Sequence, residues 1–440
     1  MKISISGIRG IYGSDLSTND IIKFVRLFAS LIIKNGGQCV IASDTRPSSR
    51  IIVQLVSAGL MEQGVDVYDL GVAPTPVVFR ESRRYGYGIV VTASHNPIEW
   101  NGLKFIVKGR GIFQNELDQI TNEEISNFSL DKFGICTDTI SNYVDEVLSL
   151  ITKQIGKNNS VGLDLGGGAA CYYYDKLFKR LGHTFYPIND VPGLSSREPD
   201  PTVADLTELQ VLVKSNHLDL GFAFDLDADR VVVVDSEGNK LSADTTLLFC
   251  IANAIEIGMK RFVASIDTSL AVEEYVKKNG CRFVYSKVGE INVVNTLLQT
   301  DSEAGGEGSS GGFIMPKFNM CRDGFLASAM ISSSKNKLIE ECLHLSSRYK
   351  QIRSKIYTAA GPDVHNKVFE KLNEVLKSRS SQLLTIDGVK AILDDNSWVL
   401  LRSSNTEDAI RISVESKPEY ACSLHKEFKE RVQGIYDQIK

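Results

Sequence analysis

The stretch Val40-Ile41-Ala42-Ser43-Asp44-Thr45 is apolar and ends in an aspartate followed by a small polar residue. Similar stretches occupy residues 161–166 and 263–268. A glycine and a second apolar stretch follow each copy after a segment of helix length, at residues 64–68, 182–186 and 280–284. Glycine is a common stop between a helix and the next strand. The repeat therefore predicts three β-α-β units.

A third apolar stretch completes each unit. Residues 88–91 and 218–224 have this form, and a weaker stretch lies before Gly305. In open α/β sheets, ligands bind beyond the carboxyl ends of the strands. We therefore expect functional residues in the loops that follow these stretches, the alternative being three unrelated turns.

The C-terminal part of the chain has a different pattern. Residues 397–402 and 409–415 alternate apolar and polar side chains across a polar loop, which is typical of antiparallel strands, and an amphipathic helix follows. The sequence thus predicts an α/β fold of three related α/β domains with mixed sheets, followed by a smaller α+β C-terminal domain, around a central cleft. We place these domains at residues 1–137, 138–238, 239–345 and 346–440.

The composition disfavours several classes of protein. Lys and Arg number 49 against 54 Asp and Glu, so the net charge is −5 and the basic excess typical of nucleic-acid binding is missing. The most apolar helical stretch, residues 24–33, is about half as long as a membrane span, and the N-terminus has no signal-peptide pattern. We expect a cytoplasmic protein, monomer or homodimer, that binds neither nucleic acid nor membrane.

The loop at residues 92–97 reads Thr-Ala-Ser-His-Asn-Pro and places a hydroxyl at the end of a buried strand. Ser94 is a candidate nucleophile, which would need an adjacent base, a metal, or a transferable group already attached. His95 is its neighbour in sequence. Lys104 is near enough in the chain to place a positive charge or a proton donor at the same loop. Taken alone, a Ser-His pair is more often an ordinary turn than a catalytic site.

Three carboxylates alternate in the loop after residues 218–224, at Asp225, Asp227 and Asp229. A buried charge without compensation costs several kcal/mol, so these side chains need a cation. Carboxylate oxygens suit Mg²⁺, which also bridges to phosphate. Arg230 and the strand that follows it pin the loop, which favours a metal site over a solvated acidic turn.

The loop at residues 305–312 contains five glycines in eight residues, together with Glu307 and two serine hydroxyls. Glycines let a ligand approach the backbone closely, and the polar groups suit a polyol. The loop is no P-loop, because no Gly-Lys-Ser/Thr follows it. It therefore predicts a sugar-binding loop, with a flexible linker as the alternative.

The loop at residues 402–407 combines Arg402, hydroxyl groups and backbone N–H groups, and Arg411 follows. Two guanidinium groups can hold one phosphate through paired hydrogen bonds. The pattern predicts a phosphate anchor, and a solvated hairpin loop is the alternative.

These four loops, preceded by Gly7-Ile8-Arg9-Gly10, occur in the order found in the α-D-phosphohexomutases. That family includes phosphoglucomutase/phosphomannomutase and phosphoglucosamine mutase, and the resemblance covers essentially the whole chain. The Gly311-Gly312 ending of the third loop and Arg322-Asp323-Gly324 beyond it are most similar to archaeal-type phosphoglucosamine mutases.

The resemblance implies an isomerase that interconverts hexose 6-phosphate and hexose 1-phosphate through a phosphoserine enzyme and a bisphosphate intermediate. It favours phosphoglucosamine mutase, with phosphomannomutase/phosphoglucomutase as the alternative. It also implies Mg²⁺ as cofactor, a hexose bisphosphate as activator and a phosphorylated hexose as substrate.

The resemblance further implies roles for individual residues. Ser94 would carry the phosphoryl group and complete the metal site of Asp225, Asp227 and Asp229. The polar residues around the phosphoserine would be Arg9, His95, Lys104 and Arg230. The sugar hydroxyls would bind Glu307 and Ser309, near a turn at residues 286–290 that helps choose the sugar face, and the other phosphate would bind Arg402, Ser404, Asn405, Thr406 and Arg411.

The chain departs from the family's pattern at three places, and two other functions remain as alternatives. Leu226 stands where the family usually has glycine, Asp408 replaces the usual proline, and no histidine follows Ser310-Gly311. A Mg²⁺-dependent phosphatase with Asp225 as nucleophile and Asp227 as acid would explain the acidic loop alone. A non-catalytic sugar-phosphate sensor would keep the binding loops without turnover.

Overall fold

The computed structural model describes residues 1–122, 133–151, 158–358, 362–377, 379–393, 395–404 and 408–439. The chain forms two compact units, one of residues 1–246 with 310–335 and one of residues 247–309 with 336–440. None of the helices in the described part of the chain is long and apolar enough to cross a membrane.

The first unit begins with a mixed sheet in the order β1-β2-β6-β5-β3-β4-β8, with β7 beside β6. Its central strand β3 runs parallel to β4 and β5, while β6 is antiparallel to β5. The strands are β1 (Lys2–Ser4), β2 (Gly7–Ile11), β3 (Gln38–Ser43), β4 (Val67–Val72), β5 (Gly86–Val91), β6 (Trp100–Val107), β7 (Arg110–Gly111) and β8 (Cys136–Asp138). The helices are α1 (Thr18–Asn35), α2 (Ser49–Glu62), α3 (Thr75–Tyr85) and α4 (Gln114–Asn122).

Helix α1 covers this sheet because its sequence fixes both its start and its buried face. The Ser17 side chain accepts from the Asp20 N–H while the Asp20 carboxylate accepts from the Ser17 N–H, which is a complete capping box. Phe24 and Phe28, one helical turn apart, are buried against the sheet. The ring of Phe28 lies 4.8 Å from that of Phe105 on β6.

The second sheet of this unit has the order β10-β9-β11-β12, with β9 parallel to β10 and β11, and β12 antiparallel to β11. Its strands are β9 (Ser160–Asp164), β10 (Thr184–Ile188), β11 (Leu220–Phe224) and β12 (Val231–Asp235). The accompanying helices are α5 (Tyr143–Ile151), α6 (Tyr174–Arg180) and α7 (Thr207–Ser215).

The second unit contains a third set of parallel strands, in which β13 lies between β14 and β15. The elements in chain order are α8 (Ala243–Glu256), which begins in the first unit, β13 (Arg261–Ser265), α9 (Leu270–Lys278), β14 (Arg282–Ser286), α10 (Glu290–Gln299) and β15 (Ala304–Glu307). The strand neighbours repeat those of the first two sheets, so the prediction of three related units with mixed sheets is confirmed.

Residues 310–335 belong to the first unit and contain β16 (Gly312–Ile314) and α11 (Gly324–Ser332). Every residue of α11 is buried. Its Phe325 stacks on Phe224 of β11 with the ring centroids 5.2 Å apart. This segment therefore completes the core beside the second sheet.

The C-terminal part is an antiparallel sheet in the order β17-β21-β20-β19-β18. The elements are α12 (Asn336–Ser346), β17 (Lys350–Tyr357), α13 (Pro362–Lys377), β18 (Ser380–Leu384), β19 (Val389–Leu393), β20 (Trp398–Ser403), β21 (Ala409–Ser416) and α14 (Pro418–Ile439). Val399 and Ile412 lie on the face that packs with Leu372 of α13 and Phe428 of α14. The predicted α+β domain, with its pair of antiparallel strands and closing helix, is confirmed.

Candidate active site

The loop after β5 turns at Ser94, whose φ of 53° lies in the left-handed region. The buried guanidinium of Arg46 fixes this turn. It donates to the carbonyl oxygens of Ser94 at 2.6 Å, Asn96 at 2.7 Å and Trp100 at 2.8 Å. A single arginine thus satisfies several carbonyl oxygens at this turn and at the start of β6.

Asp44, the aspartate that ends the first copy of the repeated strand, completes this support. Its Oδ2 accepts from Arg46 Nε at 3.0 Å and from Thr92 Oγ1 at 2.7 Å. Burial raises the pKa of Asp44, and Arg46 and the hydroxyl of Thr92 offset part of that effect. Thr92 Oγ1 also accepts from the Ser94 N–H at 2.8 Å. Sequence reasoning missed the role of Arg46, although a charged residue directly after a strand end was the available signal.

The Ser94 hydroxyl is fully buried and contacts two predicted site residues. Its Oγ donates to Asp225 Oδ2 at 3.2 Å and lies 3.3 Å from His95 Nδ1. The other ring nitrogen, His95 Nε2, lies 3.4 Å from a guanidinium nitrogen of Arg230. Because a guanidinium only donates, Nε2 is the acceptor and the ring proton lies on Nδ1, towards Ser94.

His95 is held in this neutral form by its surroundings. Burial lowers the pKa of His95, and the positive charges of Arg230 and Arg9 lower it further. Arg9 of β2 donates to Asn96 Oδ1 at 3.0 Å, so it lies against the same loop. The imidazole therefore donates to the Ser94 oxygen, which suits a role in assisting that oxygen rather than deprotonating it.

The loop after β11 brings the three predicted carboxylates together. One carboxylate oxygen from each of Asp225, Asp227 and Asp229 lies within 4.8 Å of the others, and all three side chains are fully buried. Burial raises the pKa of Asp225, and the charges of its two neighbours raise it further. The Oδ1 atoms of Asp227 and Asp229 have no hydrogen-bond partner among the residues that the structure describes. The all-oxygen donor set and its two unpartnered atoms fit Mg²⁺.

Two cations lie against this acidic cluster. Lys104 Nζ is 3.0 Å from Asp229 Oδ2 and 3.4 Å from Asp227 Oδ2. Arg322, from the segment that contains α11, donates to Asp229 Oδ2 at 2.8 Å. Burial alone would raise the pKa of Asp229, but Arg322 and Lys104 outweigh this effect and hold it well below its usual value. The sequence alone did not indicate this role of Arg322.

The departure at Leu226 leaves the acidic loop intact. The Leu226 side chain is buried, and its carbonyl oxygen accepts from the Ala169 N–H at 2.8 Å. The left-handed residue of this loop is Ala228, with φ of 53°, whereas Leu226 has no positive φ. Position 226 therefore does not need glycine in this chain.

The predicted sugar loop is an ordered turn in the second unit. Glu307 ends β15, is 5% exposed, and its Oε1 accepts from the Gly289 N–H at 2.8 Å. The Gly308 N–H donates to Thr268 Oγ1 at 3.1 Å. Ser309 is half-buried in a short 3₁₀ turn. Glu307 is thus tied to the turn at residues 286–290, and the flexible-linker alternative is wrong.

The predicted phosphate anchor lies on β20 and β21, where Arg402 and Arg411 are cross-strand neighbours. Arg411 Nε donates to Ser404 Oγ at 3.0 Å. Lys355 of β17 faces Arg411 from the other side, so three cations form one row, and sequence reasoning missed the third. Asn405 and Thr406, two further predicted ligands, lie outside the described residues.

A buried histidine supports this anchor. His365 is 3% exposed, with Nδ1 3.1 Å from Ser403 Oγ and Nε2 2.7 Å from Thr358 Oγ1. Burial lowers the pKa of His365, so the neutral ring is favoured. The Thr358 N–H donates to the Asp408 carbonyl at 2.9 Å, which fixes the end of the loop without the family's proline.

Sequence comparison places this chain in one class, the phosphohexomutases. Residues 1–128, 141–238 and 242–349 match the phosphoglucomutase/phosphomannomutase α/β/α domains I, II and III, and residues 354–427 match the C-terminal domain. The chain belongs to the phosphoglucomutase/phosphomannomutase family, a Mg²⁺-dependent family of isomerases that catalyse intramolecular phosphoryl transfer.

Curated relatives cover nearly the whole chain. A probable phosphoglucosamine mutase of Methanothermobacter thermautotrophicus is 33% identical, with 99% of this chain and 97% of that protein aligned. A phosphoglucosamine/phosphogalactosamine mutase of Sulfurisphaera tokodaii is 32% identical over 97% and 98% of the two chains. A phosphoglucomutase/phosphomannomutase of Thermococcus kodakarensis is 30% identical over 94% of each. The predicted resemblance to archaeal phosphoglucosamine mutases is confirmed.

A solved structure has the same fold. A phosphoglucomutase/phosphomannomutase family protein from Burkholderia thailandensis matches with a TM-score of 0.84 at 23% identity, covering 99% of this chain and 98% of that one.

Proposed function

We propose that this chain is a phosphoglucosamine mutase that interconverts glucosamine 6-phosphate and glucosamine 1-phosphate through a phosphorylated Ser94. The observation that carries the proposal is the position of the Ser94 hydroxyl, buried between His95 Nδ1 and Asp225 Oδ2 beside the acidic cluster. Curated relatives named phosphoglucosamine mutase support the choice of sugar. A relative named phosphoglucomutase/phosphomannomutase keeps those sugars as the second candidate.

In the proposed reaction, the free hydroxyl of the bound sugar phosphate attacks the phosphorus on Ser94. The bond between phosphorus and Ser94 Oγ breaks, and the His95 Nδ1–H donates a hydrogen bond to the leaving oxygen. Overall, the proton of the attacking hydroxyl is transferred to Ser94 Oγ, which becomes a hydroxyl again. Lys104 and Arg230, among the polar groups beside the phosphoserine, offset negative charge. Such transfers depend mainly on positioning and electrostatic stabilisation.

The acidic cluster would hold Mg²⁺ through Asp225, Asp227 and Asp229 together with the phosphate on Ser94. The ion would neutralise charge on the transferred group. Lys104 and Arg322 hold Asp229 in place through ion pairs.

The bisphosphate formed in this step then returns its other phosphate to Ser94, which completes the isomerisation. We propose that Arg402, Arg411, Ser404, Asn405 and Thr406 grip whichever phosphate is not being transferred. Glu307 and Ser309 would bind the sugar hydroxyls. A hexose bisphosphate would act as activator because it can phosphorylate Ser94. The domain boundaries predicted from sequence, and a monomer or homodimer as the assembly, remain part of this proposal.

A substrate panel tests the proposal. Glucosamine, glucose and mannose 6-phosphates are assayed with Mg²⁺ and catalytic hexose bisphosphate, and the 1-phosphate products are measured. We expect glucosamine 6-phosphate to give the highest kcat/KM; if it is the poorest substrate by a wide margin, the assignment of the sugar is wrong.

A Ser94→Ala variant separates the mutase from the other two functions. We expect the variant to lose isomerisation and the wild-type protein to carry one phosphoryl group on the peptide that contains Ser94. An aspartyl phosphatase would keep near wild-type turnover in the variant, and a sugar-phosphate sensor would show no turnover in either protein.

A further inference from the structure

The turn at residues 286–290, between β14 and α10, has its backbone held from several sides. The Gly289 N–H donates to Glu307 Oε1 at 2.8 Å, and the Val288 carbonyl accepts from Asn292 Nδ2 at 2.8 Å. The Val288 N–H donates to Asp387 Oδ2 at 3.1 Å. Glu307 and Asn292 belong to the third sheet and its helix, whereas Asp387 belongs to the C-terminal sheet. Asp387 is therefore a link between two sheets of the second unit.

The turn that contains Asp387 also lies close to the predicted phosphate anchor. Asp387 lies in the turn between β18 and β19, next to Gly388, whose φ is 73°. A Cβ at Gly388 would lie 2.1 Å from the Leu401 carbonyl oxygen and 2.8 Å from the Cα of Arg402. The turn thus lies directly against the strand that carries Arg402, with no space for a side chain between them.

The surrounding junction between the two sheets is well packed. Lys390, next along β19, is fully buried, donates to the Ile266 carbonyl at 2.8 Å and lies 4.2 Å from the ring centroid of Trp398. The Leu270 N–H donates to Glu415 Oε1 at 2.7 Å. These contacts hold the two sheets together independently of Asp387, so its removal is expected to affect the turn rather than the whole junction.

We propose that Asp387 is a positioning residue that aligns the sugar-binding turn at residues 286–290 with the phosphate-binding strand β20. This inference rests on the proposed function, which makes the turn at residues 286–290 sugar-binding and β20 phosphate-binding. Without the Asp387 carboxylate, the Val288 N–H has no acceptor from β18–β19, the turn shifts, and Gly289 holds Glu307 less firmly. Sugar discrimination falls, while phosphate binding at Arg402 and Arg411 is retained because neither residue is changed.

The test compares Asp387→Ala, which removes the acceptor, with Asp387→Asn, whose amide oxygen can still accept. Asp395→Ala is the matched control, because Asp395 accepts from the Ser397 N–H at 3.0 Å at the opposite end of β19. Amide hydrogen exchange of the peptide covering residues 286–290 is measured without substrate, and binding of inorganic phosphate is measured by calorimetry. The ratio of kcat/KM for glucosamine and glucose 6-phosphates is measured in parallel.

We expect Asp387→Ala to speed exchange in this peptide and to reduce the sugar ratio by about three- to tenfold, the range of one hydrogen bond. Its phosphate affinity should stay within about twofold of wild type, and Asp387→Asn and Asp395→Ala should behave like wild type. The proposal is overturned if exchange is unchanged in Asp387→Ala, if Asp387→Asn is equally impaired, or if phosphate affinity falls with an unchanged sugar ratio. Failure of the proposed function would appear separately, as absence of isomerisation in the wild-type protein. The exchange measurement would still show whether Asp387 holds the turn at residues 286–290.

Discussion

Arg402 and Arg411 lie directly opposite each other on neighbouring antiparallel strands, with Lys355 opposite Arg411 on the next strand. Like charges in this position repel and destabilise a sheet. Under the proposed function, a bound phosphate would offset this repulsion.

Replacing Arg402 by Gln should reduce binding of phosphate without reducing the stability of the free protein. The repulsion with Arg411 is removed, so the melting temperature without phosphate should be equal to or above that of wild type. The rise in melting temperature on adding inorganic phosphate should shrink. Differential scanning fluorimetry measures both quantities, with Arg431→Gln on α14 as the control. An undiminished phosphate response in Arg402→Gln would contradict the assignment of the anchor.

Lys355→Ala should weaken substrate binding through loss of the third cation. We expect KM for the sugar phosphate to rise by about two- to fivefold, because an ion pair made by an exposed side chain contributes up to about 1 kcal/mol. The effect should shrink at high salt because Lys355 is exposed and its charge is screened. Lys350→Ala, on the same strand, should leave KM unchanged. Equal effects of the two variants would show that position 355 has no special role.

Arg46→Leu should strongly destabilise the first unit. The Arg46–Asp44 ion pair is completely buried, and removing one partner leaves an uncompensated charge that costs about 3–5 kcal/mol. Arg26→Leu removes a pair with Glu62 whose side chains are 34% and 41% exposed, and should cost no more than about 1 kcal/mol. Urea unfolding measures both losses. A small loss for Arg46→Leu would mean that the loop carbonyls find other donors.

Mg²⁺ should stabilise the protein against heat. Binding to the folded chain adds about 2.7 kcal/mol at a concentration one hundred times Kd. Asp227→Asn should reduce this gain because one metal ligand is lost, whereas Asp235→Asn, at the end of β12, should retain it. Melting curves with MgCl₂ and with EDTA make the comparison. An equal response to Mg²⁺ in wild type and Asp227→Asn would place the ion elsewhere.

Stability should fall as the pH drops from 7 to 5, in part because of His183. Burial lowers the pKa of His183, so the folded chain binds fewer protons there than the unfolded chain. Its contribution to stability is thus present above the unfolded pKa of about 6.5 and is lost progressively as pH falls from that value towards the lower pKa of the folded chain. His183→Gln should flatten the decline, and His344→Gln, at an exposed position, should not. Urea unfolding at several pH values provides the test.

Much of this structure follows from sequence because the informative signals are local. Each repeated strand and its aspartate can be seen in a window of a few residues, and the parallel neighbours follow from three copies of one pattern. Arg46, Arg322 and Lys355 could not be found in this way. Arg322 reaches an aspartate 93 positions away, and Lys355 acquires its role only because β17 pairs with β21. Strand pairing and burial determine these roles, and a short stretch of sequence shows neither of them.

The segment of residues 310–335 has a consequence for the order in which the protein folds during synthesis. The first unit lacks α11 until this segment has left the ribosome, although its two sheets end at residue 235. Three contacts can form only after this segment has been made. Tyr143 donates to Asp323, Phe224 stacks on Phe325, and Asn159 donates to the Ser332 carbonyl. A nascent chain that stops at residue 246 would therefore expose apolar surface beside its second sheet and need protection from aggregation until about ninety further residues are made.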